Sequence, residues 1–305
     1  MDSTEPTAPT ASAPAARLRV GDASDGVTVR GTLSPSRASD FTSCALLYRF
    51  RAVDRLPEPP SVDATRGTLV HRVLEQLFDL PADRRTPQEA AALLRPAWEE
   101  LVEAEPALGD LHVDEGAREH WWRSCARVLE RYFTLEDPRC LEPAEREVFV
   151  EHLTDEGLVL RGIVDRVDVA PDGAVRVVDY KTGRAPGQGF EAGALFQMRF
   201  YALVWWRTRG VLPRLLQLVY LGDGTVISHA PDEDELLATE RRVHAIWAAI
   251  RHGEETGDFQ PRTGPLCRWC AHQALCPAYG GTPPPLPVPD PARPGPPPAQ
   301  GPATA

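Results

Sequence analysis

The distribution of hydrophobic and polar residues divides the chain into predicted strands and helices. Alternating or β-branched runs predict strands at 146–153, 158–169, 215–221 and 225–229, and a further one that begins at Val177. Hydrophobic residues at helical spacing predict helices over 35–48, 65–78, 87–103, 114–135, 192–208 and 232–252. Strands that are interleaved with helices and mostly antiparallel favour an α/β core that carries additional N-terminal helices.

Short polar segments predict where these elements begin and turn. Ser34 followed by Pro35 is typical of a helix N-terminus, with Ser34 as the N-cap. Gly222-Asp223-Gly224 predicts a tight hairpin between the last two strands. Pro171-Asp172-Gly173 predicts a second hairpin; if Asp172 is its centre, Val167 lies opposite Val177, Asp165 opposite Asp179 and Ile163 opposite Lys181.

The two ends of the chain differ in composition from its middle. Residues 1–30 are rich in Ala, Thr, Ser, Pro and Gly, and residues 281–305 form a Pro-rich tail. Such segments bury little apolar surface, so we expect both to be disordered and residues 31–280 to form one folded domain. No run approaches the ~18 apolar residues of a membrane span, and no signal peptide is apparent. We therefore expect a cytoplasmic protein.

The net charge of −11 does not favour binding to a polyanion. The charge is unevenly distributed, because the segment from Arg161 to Arg214 contains nine basic and five acidic residues. A locally basic channel on an acidic protein is consistent with this distribution.

Lys181 is the only lysine among the 33 basic residues. A chain that uses arginine everywhere else and keeps one lysine indicates chemistry that needs a compact ammonium. Asp179 lies two residues earlier and therefore points to the same face of the strand. On these two residues alone, a surface ion pair of little energetic value is an equal alternative.

Asp165 strengthens the functional interpretation. Two carboxylates opposed on adjacent strands repel each other, and a divalent cation between them turns the repulsion into attraction. Carboxylate oxygens suit Mg²⁺ or Mn²⁺.

Two helices contribute further polar side chains. His71 and Glu75 are four residues apart, and so are Gln197 and Tyr201, so each pair lies on one side of its helix. A single histidine on a helix is more often structural than catalytic.

The cysteines form a second constellation. Cys267, Cys270 and Cys276 have C-x2-C-x5-C spacing, and Cys44 is the natural fourth thiolate from the other end of the domain. In a cytoplasmic protein such a set favours metal over disulfides. Four thiolates suit zinc or an iron–sulfur cluster, and His272 is an alternative zinc ligand. We interpret the remaining cysteines, Cys125 and Cys140, as ordinary packed thiols.

Taken in order, these motifs resemble those of the RecB-type nucleases in the PD-(D/E)xK superfamily. The motifs are Gly67-x3-His71, Gly162-Ile163-Val164-Asp165, Asp179-Tyr180-Lys181-Thr182-Gly183 and Gln197-x3-Tyr201. The cysteines resemble those of the iron–sulfur subset, to which Cas4 and the AddB C-terminal domain belong. The loop between Cys270 and Cys276 lacks the aromatic residue expected for that subset.

The resemblance implies a restriction-endonuclease-like core, that is, a central mixed sheet flanked by helices with an N-terminal helical insertion and a C-terminal cysteine cluster. It also implies metal-dependent cleavage of DNA, usually as an exonuclease. His71, Asp165, Asp179 and the carbonyl of Tyr180 would bind Mg²⁺ or Mn²⁺. Lys181 would orient the attacking water, and Gln197 and Tyr201 would position the lysine or the substrate. Cys44, Cys267, Cys270 and Cys276 would hold a [4Fe-4S] cluster.

Two alternatives of a different class stay open. One is a catalytically silent nuclease fold that binds DNA beside a helicase, and the other is a zinc-clasped interaction protein. A motor within this chain is excluded, because a phosphate-binding loop needs Gly-Lys-[Ser/Thr] and the only lysine follows Tyr180. Any ATP-driven unwinding would come from a separate helicase subunit.

Overall fold

One mixed sheet lies between two layers of helices in the computed structural model, which describes residues 29–112, 114–187 and 192–287. The strands are β1 Gly31–Leu33, β2 Glu145–Leu153, β3 Leu158–Val169, β4 Val175–Lys181, β5 Leu215–Tyr220 and β6 Thr225–His229. The α-helices of the described residues are α1 Pro35–Ser43, α2 Ala45–Tyr48, α3 Val62–Leu77, α4 Pro87–Ala104, α5 Glu115–Leu135, α6 Ala192–Arg209 and α7 Glu233–Thr256. The predicted mixed sheet flanked by helices is confirmed.

The long strand β3 organises the sheet. Along one edge it pairs with antiparallel β2. Along its other edge it pairs first with parallel β1, over Leu158–Leu160, and then with antiparallel β4, over residues 166–169. β5 pairs parallel to β4, with α6 as the connection, and β6 closes the order as an antiparallel edge strand. A short stretch of β3 before Arg166 therefore has neither β1 nor β4 beside it.

The two faces of the sheet bury different sets of residues. Successive side chains of a strand point to opposite faces, so Val177 packs with α6 and α7, whereas Val178 packs with α3, α4 and α5. α6 is buried over most of its surface because it lies against the sheet and under α7. The helices α3, α4 and α5 form the predicted N-terminal helical insertion, between β1 and β2.

The N-terminal helix confirms one prediction and corrects another. Ser34 is its N-cap and accepts a hydrogen bond from the Arg37 amide, with Pro35 as the first helical residue. The predicted continuous helix to Tyr48 is wrong, because Cys44 adopts an extended conformation that separates α1 from α2. The Thr42 hydroxyl bonds to the Ala38 and Ser39 carbonyls, a local contact that competes with helical continuation. β1 was not predicted, since three residues are too few to show a period.

The ends of the predicted domain are only partly described. The predicted disordered segments 1–30 and 281–305 lie largely outside the described residues, and the domain limits stay predictions. Within the described part, Arg49 donates a hydrogen bond to the Pro284 carbonyl, and Leu286 packs against the core. Residues 281–287 therefore lie against the folded domain. Among the helices of the described ranges, none has the length and apolar character that crossing a membrane requires.

The loop that follows Lys181 is held by a close backbone contact. The Gly222 amide donates to the Gly183 carbonyl at 2.9 Å, and a Cβ atom at Gly222 would overlap that carbonyl. Backbone atoms cannot move aside as a flexible side chain does, so only glycine fits this position of the β5–β6 turn.

We therefore predict that Gly222→Ala lowers the free energy of unfolding by about 2–4 kcal/mol, because the new methyl group pushes the loop after Lys181 away. For a domain of this size the midpoint of thermal unfolding would fall by roughly 5–10 °C. Gly193→Ala is the matched control, since no atom that the structure describes lies within 4 Å of its added Cβ. Equal unfolding midpoints for the two variants would contradict this account.

Candidate active site

The hairpin between β3 and β4 sets the register of the site. Its pairs run from Val169–Val175 to Arg166–Val178, so the predicted centre at Asp172 and the Val167–Val177 pair are confirmed. The ladder ends there, and the predicted direct opposition of Asp165 and Asp179 is wrong. The Asp165 carboxylate instead accepts a hydrogen bond from the Tyr180 amide, with 2.7 Å between Oδ2 and N. This contact replaces the next backbone bond of the ladder. For the same reason Ile163 and Lys181 do not pair.

Both β2 and β3 change face at the site. On β3, Val164 and Val167 pack in the same cluster although they are three residues apart, so the alternation slips between them. Glu147 on β2 has a positive φ of 43°, a conformation that L-residues rarely adopt. The neighbouring pairs of β2 and β3 place Glu147 directly across from Asp165, at the position that the ladder leaves out. The distortion therefore brings two carboxylates to one point.

His71, Glu147 and Asp165 form a cluster whose ligand atoms all lie within 4.8 Å of one another. His71 Nδ1 is 3.5 Å from Asp165 Oδ1 and 3.9 Å from Glu147 Oε1. On its other side, His71 Nε2 lies 2.9 Å from the Tyr180 carbonyl oxygen. The structure thus brings together three of the four predicted metal ligands, namely His71, Asp165 and the Tyr180 carbonyl, and adds Glu147.

The sequence analysis missed Glu147, although the chain contained a signal for it. Asp155-Glu156-Gly157 connects β2 to β3, and a hairpin centred on Glu156 places Glu147 opposite Asp165.

Asp179 lies beside this cluster within a separate hydrogen-bonded network. Lys181 Nζ is 2.7 Å from Asp179 Oδ2 and donates to Gln197 Oε1 at 3.0 Å. The Gln197 amide nitrogen donates to Asp179 Oδ1 and to the Tyr201 hydroxyl. All four of these predicted residues are therefore connected. Asp179 Oδ2 is buried, and the Lys181 ammonium meets it as an ion pair.

The charges of the site influence one another strongly. Burial opposes the charged form of His71, but the Asp165 carboxylate outweighs it and raises the pKa of His71 to about 9. Burial also acts against an ionised Asp165, yet the neighbouring His71 lowers the pKa of that carboxyl. Burial, reinforced by Asp165, raises the pKa of Glu147 to about 8. Burial raises the pKa of Asp179 to about 6 despite Lys181.

This donor set fits a divalent cation. The carboxylates of Glu147 and Asp165 are crowded and repel each other, and a bound cation would relieve this repulsion. Carboxylate and carbonyl oxygens with one imidazole suit Mg²⁺ or Mn²⁺.

Tyr180 connects the site to the opposite face of the sheet. Its side chain is buried against Arg166, which donates to the Tyr180 hydroxyl and forms a two-pronged ion pair with Glu136 at 2.7 and 2.8 Å. Tyr132 packs edge-on against the Tyr180 ring. The sequence analysis did not identify this network, because Glu136 and Tyr132 are remote in sequence. The contacts with Arg166 and Tyr132 fix the position of Tyr180, whose amide donates to Asp165 and whose carbonyl contacts His71.

The ring of Tyr201 occupies the space where a side chain at position 162 would lie, which explains why this position of the motif is glycine. A Cβ at Gly162 would lie 2.5 Å from Tyr201 Cε1, so any larger residue would displace the ring that accepts a hydrogen bond from Gln197. Glu75 lies outside the site and pairs with Arg72 at 2.7 Å.

The predicted surplus of basic charge between Arg161 and Arg214 is largely neutralised. Seven of the nine basic residues form ion pairs with carboxylates, namely Arg166, Arg176, Lys181, Arg199, Arg207, Arg209 and Arg214. Paired arginines attract a polyanion weakly, so these seven residues do not build a basic channel.

Three of the predicted cysteine ligands, Cys44, Cys267 and Cys270, approach one another from both ends of the domain. The Arg262 amide donates to Cys44 Sγ at 3.4 Å, and the Gly264 amide donates to Cys267 Sγ at 3.3 Å. Burial raises the pKa of Cys270, and the nearby Cys267 and Cys44 raise it further. Cys276 packs against the same core cluster as Cys44. Within the described ranges, no three cysteine sulfurs lie within 4.8 Å of one another.

The other candidate residues of this region have different partners. His272 is buried, and its Nε2 lies 2.7 Å from Glu58 Oε1, so this nitrogen is engaged away from the thiols. Cys125 is a buried core residue, as predicted, whereas Cys140 is exposed. The prediction of Cys140 as a packed thiol is therefore wrong.

Comparisons with known proteins identify a nuclease family. A model of the PD-(D/E)XK nuclease superfamily matches residues 32–277. The gene 69 protein of Mycobacterium phage D29 is 24% identical over 277 residues, which cover 81% of this chain and 96% of the phage protein. The gene 69 protein of Mycobacterium phage L5 is also 24% identical, over 84% of this chain and 99% of its own length.

A solved structure has the same fold. It is the crystal structure of a protein of Eubacterium rectale that is described as a candidate exonuclease. It matches with a TM-score of 0.51 at 12% identity and covers 79% of this chain and 87% of the other. At this identity the similarity concerns the fold alone.

We predict that Glu147→Gln has opposite effects without and with metal. In metal-free protein the folded state holds a proton on Glu147 that the unfolded chain, with the ordinary pKa near 4.5, has lost. Stability therefore falls as pH rises from 4.5 through about 8. At pH 9 in EDTA the free energy of unfolding of the variant should exceed that of the wild type by on the order of 1 kcal/mol or more. The variant should therefore unfold at a higher temperature.

With saturating Mn²⁺ the order should reverse, because glutamine is a poorer ligand and the variant gains less stability from the ion. Thermal unfolding at pH 5 and pH 9, each with EDTA or Mn²⁺, measures both effects. Glu151→Gln, on the same strand, is the control. An unchanged Mn²⁺-induced shift in Glu147→Gln would remove this residue from the ligand set.

Proposed function

Because this chain belongs to the PD-(D/E)XK nuclease superfamily, we propose that it hydrolyses phosphodiester bonds of DNA with a divalent metal ion, as an exonuclease acting on single strands. The observation that carries the proposal is the convergence of His71, Glu147 and Asp165 beside the Asp179–Lys181 pair. The Eubacterium rectale protein of similar fold is described as a candidate exonuclease, which supports exonuclease rather than endonuclease activity in this proposal.

Five groups of the chain would hold Mg²⁺ or Mn²⁺. They are the carboxylates of Glu147, Asp165 and Asp179, the His71 imidazole and the Tyr180 carbonyl. A bound divalent ion acidifies a water molecule and offsets the charge of phosphate oxygens. The raised pKa of Glu147 and that of His71 mean that both groups release protons when they become ligands.

Lys181 is the group that we expect to act on water and phosphate. An ammonium has three N–H donors. One donates to Gln197, and the ammonium also lies 2.7 Å from Asp179 Oδ2 as an ion pair. At least one N–H is left for the attacking water or a phosphate oxygen, whose developing negative charge the ammonium neutralises.

Gln197 and Tyr201 act as positioning residues in this proposal. Each polar atom of the Gln197 amide has a partner, so the orientation of the side chain is fixed. Gln197 thereby holds Lys181 and Asp179 at a constant separation. Tyr201 in turn holds the amide in place from beneath Gly162.

We predict that Lys181→Ala and Asp165→Ala each reduce cleavage by about 10³-fold or more, while both variants stay folded. The alanine at Lys181 removes the water-orienting ammonium, and the alanine at Asp165 removes a ligand. End-labelled single strands of each polarity, incubated with Mn²⁺ or with EDTA, give the rate and the direction of cleavage.

Arg184→Ala is the control for this pair, since it removes an exposed positive charge three residues from Lys181. It should cleave at nearly the wild-type rate. Wild-type rates in either Lys181→Ala or Asp165→Ala, at equal metal concentration, would refute the assigned site.

We further propose that Cys44, Cys267, Cys270 and Cys276 hold a structural [4Fe-4S] cluster, as in the iron–sulfur subset of the RecB-type nucleases. Backbone amides already donate to two of the sulfurs, which suits thiolates.

We predict that Cys270→Ser lowers the yield and the midpoint of thermal unfolding, because one ligand of the clasp between the chain's two ends is lost. Iron, sulfide and zinc analysis of the purified protein identifies the metal. Cys140→Ser is the matched control, as that thiol is exposed and outside the cluster. Equal stability of the two variants would argue against a metal-bound clasp.

A further inference from the structure

The structure offers a second place for a DNA strand, away from the arginines that are already paired. A groove of about 570 Å³ lies on the solvent side of the helical insertion, between α4 and α5. Its lining contains three arginines, two tryptophans and two glutamates: Arg95, Arg118, Arg123, Trp98, Trp122, Glu115 and Glu119. Ligand-binding clefts have volumes of roughly 300–1,000 Å³, so the groove is large enough to admit a nucleotide.

The balance of charge in the groove is positive. Arg118 forms an ion pair with Glu115, so these two charges offset each other. Neither Arg95 nor Arg123 has a carboxylate within 4.0 Å among the described residues, whereas Glu119 is the remaining acid of the lining. Two exposed guanidinium groups are therefore available to an anion in this part of an otherwise acidic protein.

The groove also contains aromatic surface. The guanidinium carbon of Arg95 lies 4.6 Å from the centre of the Trp122 ring, and Trp98 packs edge-on against Trp122 with 5.9 Å between ring centres. Both rings are half-buried, so part of each faces the groove. Aromatic rings and guanidinium planes are the surfaces on which unpaired bases stack.

We propose that this groove binds a single strand of DNA, with its phosphates at Arg95 and Arg123 and a base against Trp98 or Trp122. The inference rests on the proposed nuclease function and extends it to a substrate-holding site outside the catalytic centre. A single strand fits the mixture of arginine and aromatic rings because its bases are exposed, whereas a duplex presents only phosphates to a groove of this kind.

The distance to the catalytic centre sets the length of strand that can use the groove. Trp121, which precedes Trp122, donates to the carbonyl of Val62 at the start of α3. His71 lies nine residues farther along α3, which is ~14 Å along the helix axis. A stacked strand rises about 3.4 Å per nucleotide. Because the groove lies on the solvent side of α4 and α5, a strand must be longer than about four nucleotides to reach both sites.

The test compares Arg123→Ala with Arg127→Ala. Both arginines are exposed on α5, one helical turn apart, but only Arg123 lines the groove. In a Lys181→Ala background with Mg²⁺, binding of a labelled dT15 strand is measured over a series of salt concentrations. Arg123→Ala should weaken binding about 3- to 10-fold and reduce the salt slope by ~0.7. Arg127→Ala should change the affinity less than twofold. Equal effects of the two substitutions would overturn the proposal.

Trp122→Leu tests the stacking contribution, with its thermal midpoint checked against the parent. Affinity for dT15 should fall about 5- to 10-fold without a change in salt slope, because no charge is removed. Unchanged affinity in a folded Trp122→Leu variant would overturn the stacking role. Displacement of dT15 by polyglutamate at equal charge concentration would show a general anion site and overturn the assignment to DNA.

Kinetics with an intact Lys181 separate this proposal from the proposed function. Arg123→Ala should raise KM for a 15-nucleotide strand severalfold and leave both KM for a tetranucleotide and kcat unchanged. If the wild type fails to cleave DNA with either metal, the proposed function fails. If the wild type cleaves but Arg123→Ala matches it on the long strand, only the groove proposal fails.

Discussion

The contact on which the site depends is the hydrogen bond from the Tyr180 amide to the Asp165 carboxylate. It stands where the hairpin ladder would otherwise continue, so the backbone of β4 directly positions an acidic side chain of β3. The carbonyl of the same residue contacts His71 from α3. The backbone of Tyr180 in β4 therefore contacts both β3 and α3. The Tyr180 side chain is held by Arg166 on the far side of the sheet.

This arrangement keeps groups together that repel one another. Three carboxylates approach a point that is mostly shielded from solvent, and among the described residues Lys181 and His71 provide the compensating charge there. The fold tolerates the repulsion because packing and hydrogen bonds on both faces of the sheet determine the positions of β3 and β4. Strain and crowding of this kind concentrate at functional sites, where the surrounding structure enforces them. The positive φ of Glu147 is a strained backbone conformation that the surrounding structure imposes in this way.

Much of the framework could be predicted from local sequence. The limits of β3 and β6, the Ser34 cap and the register about Asp172 follow from alternation, capping and turn residues, which act over a few positions. The candidate residues of the β3–β4 hairpin, α3 and α6 followed from short motifs, and the structure places them near one another. The Arg166–Glu136 pair and the break at Cys44 could not be read in this way. Each depends on contacts between segments that are distant in sequence, or on a backbone distortion that no residue pattern marked.

The junction of the chain's two ends determines when the fold can be completed. β1 lies against Trp247 of α7, whose ring leaves no space for a side chain at Gly31, and Cys44 meets a segment more than 200 residues later. Contacts between such distant positions form slowly, because a large loop must close first. During synthesis on the ribosome, β1 and α1 therefore lack their final neighbours until nearly the whole domain has emerged.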